Sequence, residues 1–290
     1  MIGGTMRLRY THFRRFSRVF RRDANPPGAA VRVIAIANPK TGVGKTATAY
    51  ALGSELAQRG KRVLLVDLDP QASLTAFCGV EDTAGSSLAE VLGGVLPGTV
   101  AVWDVLREVM PGLYLFLAPS DQALAATELG LISRLGRELA LRRVLTRISD
   151  AFDIGLIDCP PNLGMLTVNA LSAAHGVLVP TKPRIVDLRS LWLFLGSLEK
   201  IKQELNPGLE TLGILVTYYD WRLAHHREAI DVMRAARLPM LPLGVGRDEP
   251  PAEGANENEA LASYLPNDPK AQSELAEVIL HWSGVALSQG

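Results

Sequence analysis

From residue 31 onward the chain alternates short, near-continuous apolar runs with longer stretches whose apolar residues recur at helical spacing. Residues 31–37 (VRVIAIA) form the first apolar, β-branched run. A glycine-bearing loop follows, then a helical stretch from about Lys45 to Arg59 that Gly60 is placed to stop. Residues 63–67 read as the next strand, and 113–117, 154–157, 177–179 and 212–216 as later ones. Helical patterning fills 188–205 and 222–236, while 84–98, rich in glycine and small residues, reads as a loop with a short helix. Strands apolar on both faces and alternating with helices predict an α/β fold, a mostly parallel twisted sheet with helices on both faces.

Composition narrows the class without changing that reading. With 48% hydrophobic and 21% charged residues the chain is neither disordered nor fibrous. Its densest apolar runs, such as 191–195, are about five residues long, far short of the ~18 that a membrane span requires. Cys78 and Cys159 are too few and too far apart for a disulfide framework or a metal clip, so a reducing, cytoplasmic setting is expected.

The formal charge of zero conceals segregation. Residues 1–30 hold seven arginines against Asp23, a net of +6, which leaves −6 on the rest of the chain. This arm ends at Asn25-Pro26-Pro27-Gly28, which cannot continue a helix and reads as a linker. Tyr10, Phe13, Phe16 and Phe20 are spaced as one stripe of an amphipathic helix among arginines. A flexible tail, an early translation start, a nucleic-acid or membrane-surface contact and an organellar targeting segment are all compatible with it. The expected organisation is this basic arm over 1–30 and a single domain over 31–290.

The candidate chemistry of that domain lies in Lys40-Thr41-Gly42-Val43-Gly44-Lys45-Thr46, directly after one strand and before one helix, the setting of an ATPase phosphate loop. In that context glycines turn backbone N–H groups inward, and the helix start adds its positive dipole end, which together hold phosphates. Lys45 is then the residue that reaches the β- and γ-phosphates of ATP, and Thr46 the hydroxyl that ligates Mg²⁺. Pro39 occupies the position where the usual pattern begins with glycine, and Lys40 adds a second lysine. Asp158 ends an apolar strand, where packing explains a carboxylate poorly, so it is the candidate second metal group, through water. Asp67 and Asp69 stand at another strand end, the edge where open α/β sheets bind ligands.

These motifs resemble the deviant Walker A loop and the successive switch segments of the ParA/MinD ATPases, above all the Soj-like ParA proteins of chromosome and plasmid partition. Residues 63–71 (VLLVDLDPQ) look like the strand leading into switch I, and 153–161 (DIGLIDCPP) like the Walker B strand and switch II. The stretch 162–171, and 213–217 followed by Asp220-Trp221-Arg222, continue the likeness. The resemblance implies a phosphate cradle over Lys40, Thr41, Gly42, Val43, Gly44, Lys45, Thr46 and Ala47. It implies that Asp69 activates water and that Lys40 reaches the nucleotide of a partner subunit, as an arginine finger in trans does. It further implies a homodimer formed on ATP, slow hydrolysis raised by a ParB-like partition protein, and nucleoid association through non-specific DNA contact. Arg222 matches a DNA-contact position, with Lys200 and Lys202 on a neighbouring helix, although Glu199 stands where a basic residue is common.

Departures from the family set limits on turnover. Thr41 replaces a usual glycine; if that position needs positive φ, threonine is strained by about 1–3 kcal/mol. Ala47 replaces a threonine, 245–247 (VGR) an Ile-Pro-Arg, and 253–259 is unusually acidic. A MinD-like membrane role would fall to the arm, because residues 271–290 contain no Lys or Arg. A nucleotide-gated scaffold with little hydrolysis is the remaining alternative. Iron–sulfur carriers of the superfamily need interface cysteines and the related tyrosine kinases a Tyr-rich tail, neither of which is present.

Overall fold

The computed structural model describes residues 31–80, 87–93, 102–116, 121–220, 222–241 and 268–285. The arm (1–30), Trp221, the 245–247 segment and the acidic 253–259 stretch lie outside the described residues.

The strands are β1 (Arg32–Ile36), β2 (Val63–Asp67), β3 (Leu106–Met110), β4 (Leu113–Phe116), β5 (Ile154–Asp158), β6 (Gly176–Thr181) and β7 (Glu210–Val216). They form one sheet in the order β3-β4-β2-β5-β1-β6-β7. Each adjacent pair is parallel except β3 with β4. The helices are α1 (Lys45–Gln58), α2 (Ser73–Phe77), α3 (Leu88–Gly93), α4 (Asp121–Leu131), α5 (Ala140–Thr146), α6 (Met165–Ala173), α7 (Ile185–Glu204), α8 (Ala224–Ala235) and α9 (Pro269–Ser283).

Alternation along each strand divides the core into two layers. Ile34, Ile36, Val63, Leu65, Leu156 and Leu178 pack with α1 and α9. Val33, Ala35, Leu64, Val66, Ile157, Val177 and Val179 pack on the opposite side with α3 to α8. Burial on both faces is the physical reason these strands read as continuous apolar runs. β3 escaped that pattern: it is an antiparallel edge strand with Arg107 and Glu108 exposed, so only part of it faces the core. The short helix expected within 84–98 is α3.

The topology assembles the site. β1 lies between β5 and β6, and β5 between β1 and β2. In this register Asp158 stands opposite both Ile36 and Asp67. The loop after β1 and the carboxylates ending β2 and β5 therefore meet at the carboxyl edge of the sheet, where such folds bind ligands.

Candidate functional site

The loop between β1 and α1 is held open by its neighbours. Asn38, nearly fully buried, donates its Nδ2 to the Pro180 carbonyl at 2.8 Å, while its Oδ1 accepts from the Lys40 amide at 2.8 Å. The Thr217 hydroxyl, at the end of β7, lies 2.9 Å from the Val43 carbonyl and 3.1 Å from that of Thr181. Gly42 (φ 66°) and Gly44 (φ 88°) take the left-handed conformation that directs successive amides into one concavity. Gly44 caps α1 without any side-chain acceptor, so the helix's first amides are left for a ligand.

Thr41 is exposed and does not have a left-handed φ; among the described residues the non-glycine residues that do are Ala72, Tyr218 and Arg237. The condition for strain at Thr41 is therefore not met, and the substitution costs the loop nothing through φ. Thr46 and Ala47 lie half-buried in the first turn of α1.

Lys45 is 7% exposed, and its ammonium donates to the Lys40 carbonyl at 3.0 Å. Burial lowers its pKa, opposed chiefly by the charge of Asp158. Asp158 is fully buried, and neither carboxylate oxygen has a hydrogen-bond partner of normal geometry. Burial, reinforced by Asp67, pushes its carboxyl from 3.8 up to about 8, with the Thr46 hydroxyl and Lys45 acting in the opposite direction. A buried carboxylate without partners costs on the order of 1–3 kcal/mol or more, a cost that a bound cation would relieve. The donor set fits Mg²⁺: hard oxygen from Asp158, directly or through water, and a hydroxyl from Thr46.

Asp67 has a different task. Its Oδ2 accepts from the Thr75 amide and hydroxyl, both at 2.8 Å, and its Oδ1 from the Asp69 amide at 3.3 Å. Burial still raises its carboxyl to about 6. It fastens the loop and α2 that carry Asp69, whose own Oδ1 accepts from the Gln71 amide at 3.0 Å. Cys159, in the fully buried position after Asp158, has its thiol pKa raised by burial and is packing, not a nucleophile.

The sequence gives no warning of what Lys40 touches. Its side chain is 44% exposed, and its ammonium lies 3.3 Å from Asp187 Oδ1 near the start of α7. Asp187 is buried, and its Oδ2 accepts from Arg184 Nε at 2.7 Å and Nη2 at 2.6 Å. Thr217 and Asp187 are thus site-building residues on a later strand end and a later helix, joined to the loop only by the fold, while Asn38 ties the loop's own start to β6.

The candidate DNA-contact residues form no comparable cluster. Arg222 is exposed but grips Asp220 through two parallel bonds of 2.9 and 2.8 Å, which hold the Asp220 carboxyl below its ordinary pKa. Lys200 is exposed and Lys202 half-buried on the last turns of α7.

One prediction follows from Asp158 alone. Its folded pKa lies above the unfolded value, so its contribution favours folding at low pH and is lost as pH rises from about 4 towards 8. Asp158→Asn, neutral throughout, is expected to melt on the order of 5 °C higher than wild type at pH 8 without magnesium or nucleotide. The difference should shrink by pH 5; thermal denaturation across this range decides it, and a variant less stable at pH 8 contradicts the reading.

Comparison with known proteins matches this geometry. A family model described as an AAA domain matches residues 31–211, more than half of the chain. An uncharacterized protein of Mycobacterium tuberculosis is 42% identical over 200 residues, covering 69% of this chain and 62% of that protein. The chain thus spans less than two thirds of the first curated relatives it matches. The chromosome-partitioning ATPase Soj of Thermus thermophilus is 38% identical over 260 residues, covering 87% of this chain and 96% of its own. Among solved structures, cobyrinic acid a,c-diamide synthase of Mycobacterium smegmatis, with bound ADP and magnesium, superposes with a TM-score of 0.73 at 38% identity. That match covers 89% of this chain and 97% of the other. A glycine-turned loop at the carboxyl edge of a parallel sheet, a leading lysine and likeness to Soj over nearly its whole length make the chain a member of the ParA/MinD-type ATPase family, with the Soj/ParA partition proteins among its relatives.

Proposed function

We propose that residues 31–290 act as one ATP-dependent switch that binds Mg-ATP, dimerises on it and hydrolyses it slowly. The observation that carries this reading is the fully buried, unpartnered carboxylate of Asp158 beside Lys45 and Thr46. Bound Mg²⁺ would supply charge neutralisation at the β- and γ-phosphate oxygens.

The chain's own residues do the rest. The amides of 41–46 and the start of α1 hold the phosphates, and Lys45 exchanges its bond to the Lys40 carbonyl for one to a phosphate. Asp69 orients water, whose oxygen bonds the γ-phosphorus as the bridging bond to ADP breaks and its proton departs towards Asp69. Lys40 releases Asp187 to serve the partner's nucleotide; Arg184 remains behind to neutralise that carboxylate. With left-handed strain at Thr41 absent, slow turnover is favoured over an inert scaffold.

The cargo reading is chromosome or plasmid partition, with non-specific DNA held by Arg222, Lys200, Lys202 and the basic arm, and a ParB-like partner accelerating hydrolysis. It places the protein in the cytoplasm on the nucleoid. Among the described residues no helix is long and apolar enough to cross a membrane, and surface attachment would fall to the arm. Vesicle flotation with and without residues 1–28 separates these cases.

Mass measurement in solution tests the switch. A monomer is expected with ADP and a dimer with ATP, the dimer shifting further on DNA in a salt-sensitive manner. Asp69→Ala is expected to keep the ATP dimer from dissociating over a time in which wild type returns to monomer. A dimer that dissociates as fast as wild type removes Asp69 from the chemistry.

A further inference from the structure

Lys182 follows immediately on β6, the strand beside β1, and is half-buried at the rim of the phosphate loop. Its ammonium lies 4.0 Å from the point where a Cβ on Gly42 would stand. Its other contact is aromatic: the Tyr218 ring centroid is 4.8 Å away. That ring in turn covers Gly44, with Cε2 at 3.4 Å and the hydroxyl at 3.6 Å from where a Cβ there would be. Tyr218 and Lys182 therefore form one unit across both glycines that turn the loop.

Two features mark this unit as built for an anion. Tyr218 adopts φ 55°, a left-handed conformation that costs a non-glycine residue on the order of 1 kcal/mol and persists only where surroundings enforce it. Lys182, among the described residues, pairs with no carboxylate, whereas Lys40 and Arg184 both converge on Asp187. A cation held only by a ring face keeps most of its charge unanswered, and a phosphate oxygen is a stronger partner than that face. In the nucleotide reading Lys45, whose ammonium is bonded to the Lys40 carbonyl, reaches the outer phosphates, and Gly42 stands between these two lysines in the loop.

We propose that Lys182 is a third phosphate-contacting ammonium, supplied by the same subunit, that reads the terminal phosphate and makes the site prefer ATP to ADP. Tyr218 is its positioning residue. The proposal rests on the nucleotide reading above and adds a determinant of which nucleotide is held.

Calorimetry with magnesium, ADP and a non-hydrolysable ATP analogue tests it on wild type, Lys182→Gln and Lys182→Arg. Lys182→Gln is expected to weaken the analogue on the order of tenfold while changing ADP less than about threefold, and Lys182→Arg to restore most of the difference. Melting curves that superpose on wild type show that the fold is intact. Equal losses for both nucleotides, or no loss for either, overturn the proposal while leaving the phosphate loop assigned. A wild-type chain that binds neither nucleotide removes the underlying reading and this proposal with it.

Discussion

Replacing Lys45 with alanine is expected to weaken Mg-ATP binding by on the order of a hundredfold or more, the loss of a charge-assisted contact in a site that excludes water. Lys45 is the buried lysine of the loop, its ammonium is held by a carbonyl of that loop, and Asp158 faces it. Removing it leaves Asp158 without its nearest compensating charge, so the variant has both a weaker cradle and a more isolated carboxylate. Loss of binding through misfolding is separable. Burial disfavours the Lys45 ammonium itself, so Lys45→Met, which keeps the stem and drops the charge, should retain a cooperative melt while failing to bind. Wild-type affinity in either variant contradicts the loop assignment.

Lys40→Ala should behave in the opposite way, sparing affinity and removing turnover by on the order of 10³-fold. Its ammonium is partly exposed and makes one ionic contact, to a carboxylate that Arg184 already holds by two bonds. The fold therefore survives its loss, and its own nucleotide keeps Lys45. Mixing the Lys40→Ala and Asp69→Ala proteins tests delivery in trans. Mixed dimers contain one site with an intact Asp69 and a lysine from the partner, so activity should return to roughly a quarter of wild type if subunits pair at random. Two inactive variants that stay inactive when mixed, or Lys40→Ala turning over like wild type, contradict the trans mechanism.

The parts of this site legible from sequence are those that are local. The loop carries its own glycines and lysines, and Gly42 and Gly44 adopt the conformations that their identity permits. Asp158 stood out because an acid at the end of an apolar strand has no packing reason to be there, and its lack of partners is that anomaly in physical form. The five interior strands, β4, β2, β5, β1 and β6, were legible because burial on both faces leaves few polar positions to blur them. β3 was not, since an edge strand with charged residues outward resembles a loop. α9 carried a signal that reading the tail for charge alone passed over: Asp268 caps the Lys270 amide at 3.0 Å with Pro269 in the first turn.

What stayed hidden depends on chain segments distant in sequence. Asp187 meets Lys40 across 147 positions, as the residue numbers show, and no local pattern marks it. Asn38 holds the loop through a carbonyl of β6, and Thr217 through Val43. Lys182 lies in an unremarkable Thr-Lys-Pro, and only the sheet order brings it over Gly42. Arg222, which the resemblance places at a DNA-contact position, is forked onto Asp220, so any DNA contact must compete with that pair.

In the proposed function the loop from Lys40 to Thr46 and the carboxylate of Asp158 together receive a magnesium-bound nucleoside triphosphate. Titration of the wild-type chain with ATP in a calorimeter, with magnesium and then with chelator, addresses it without any partner, DNA or turnover. Saturable heat at one nucleotide per chain, weakened when magnesium is removed, is the expected result. An absence of heat at saturating ATP with magnesium, from a chain shown by its melt to be folded, contradicts it.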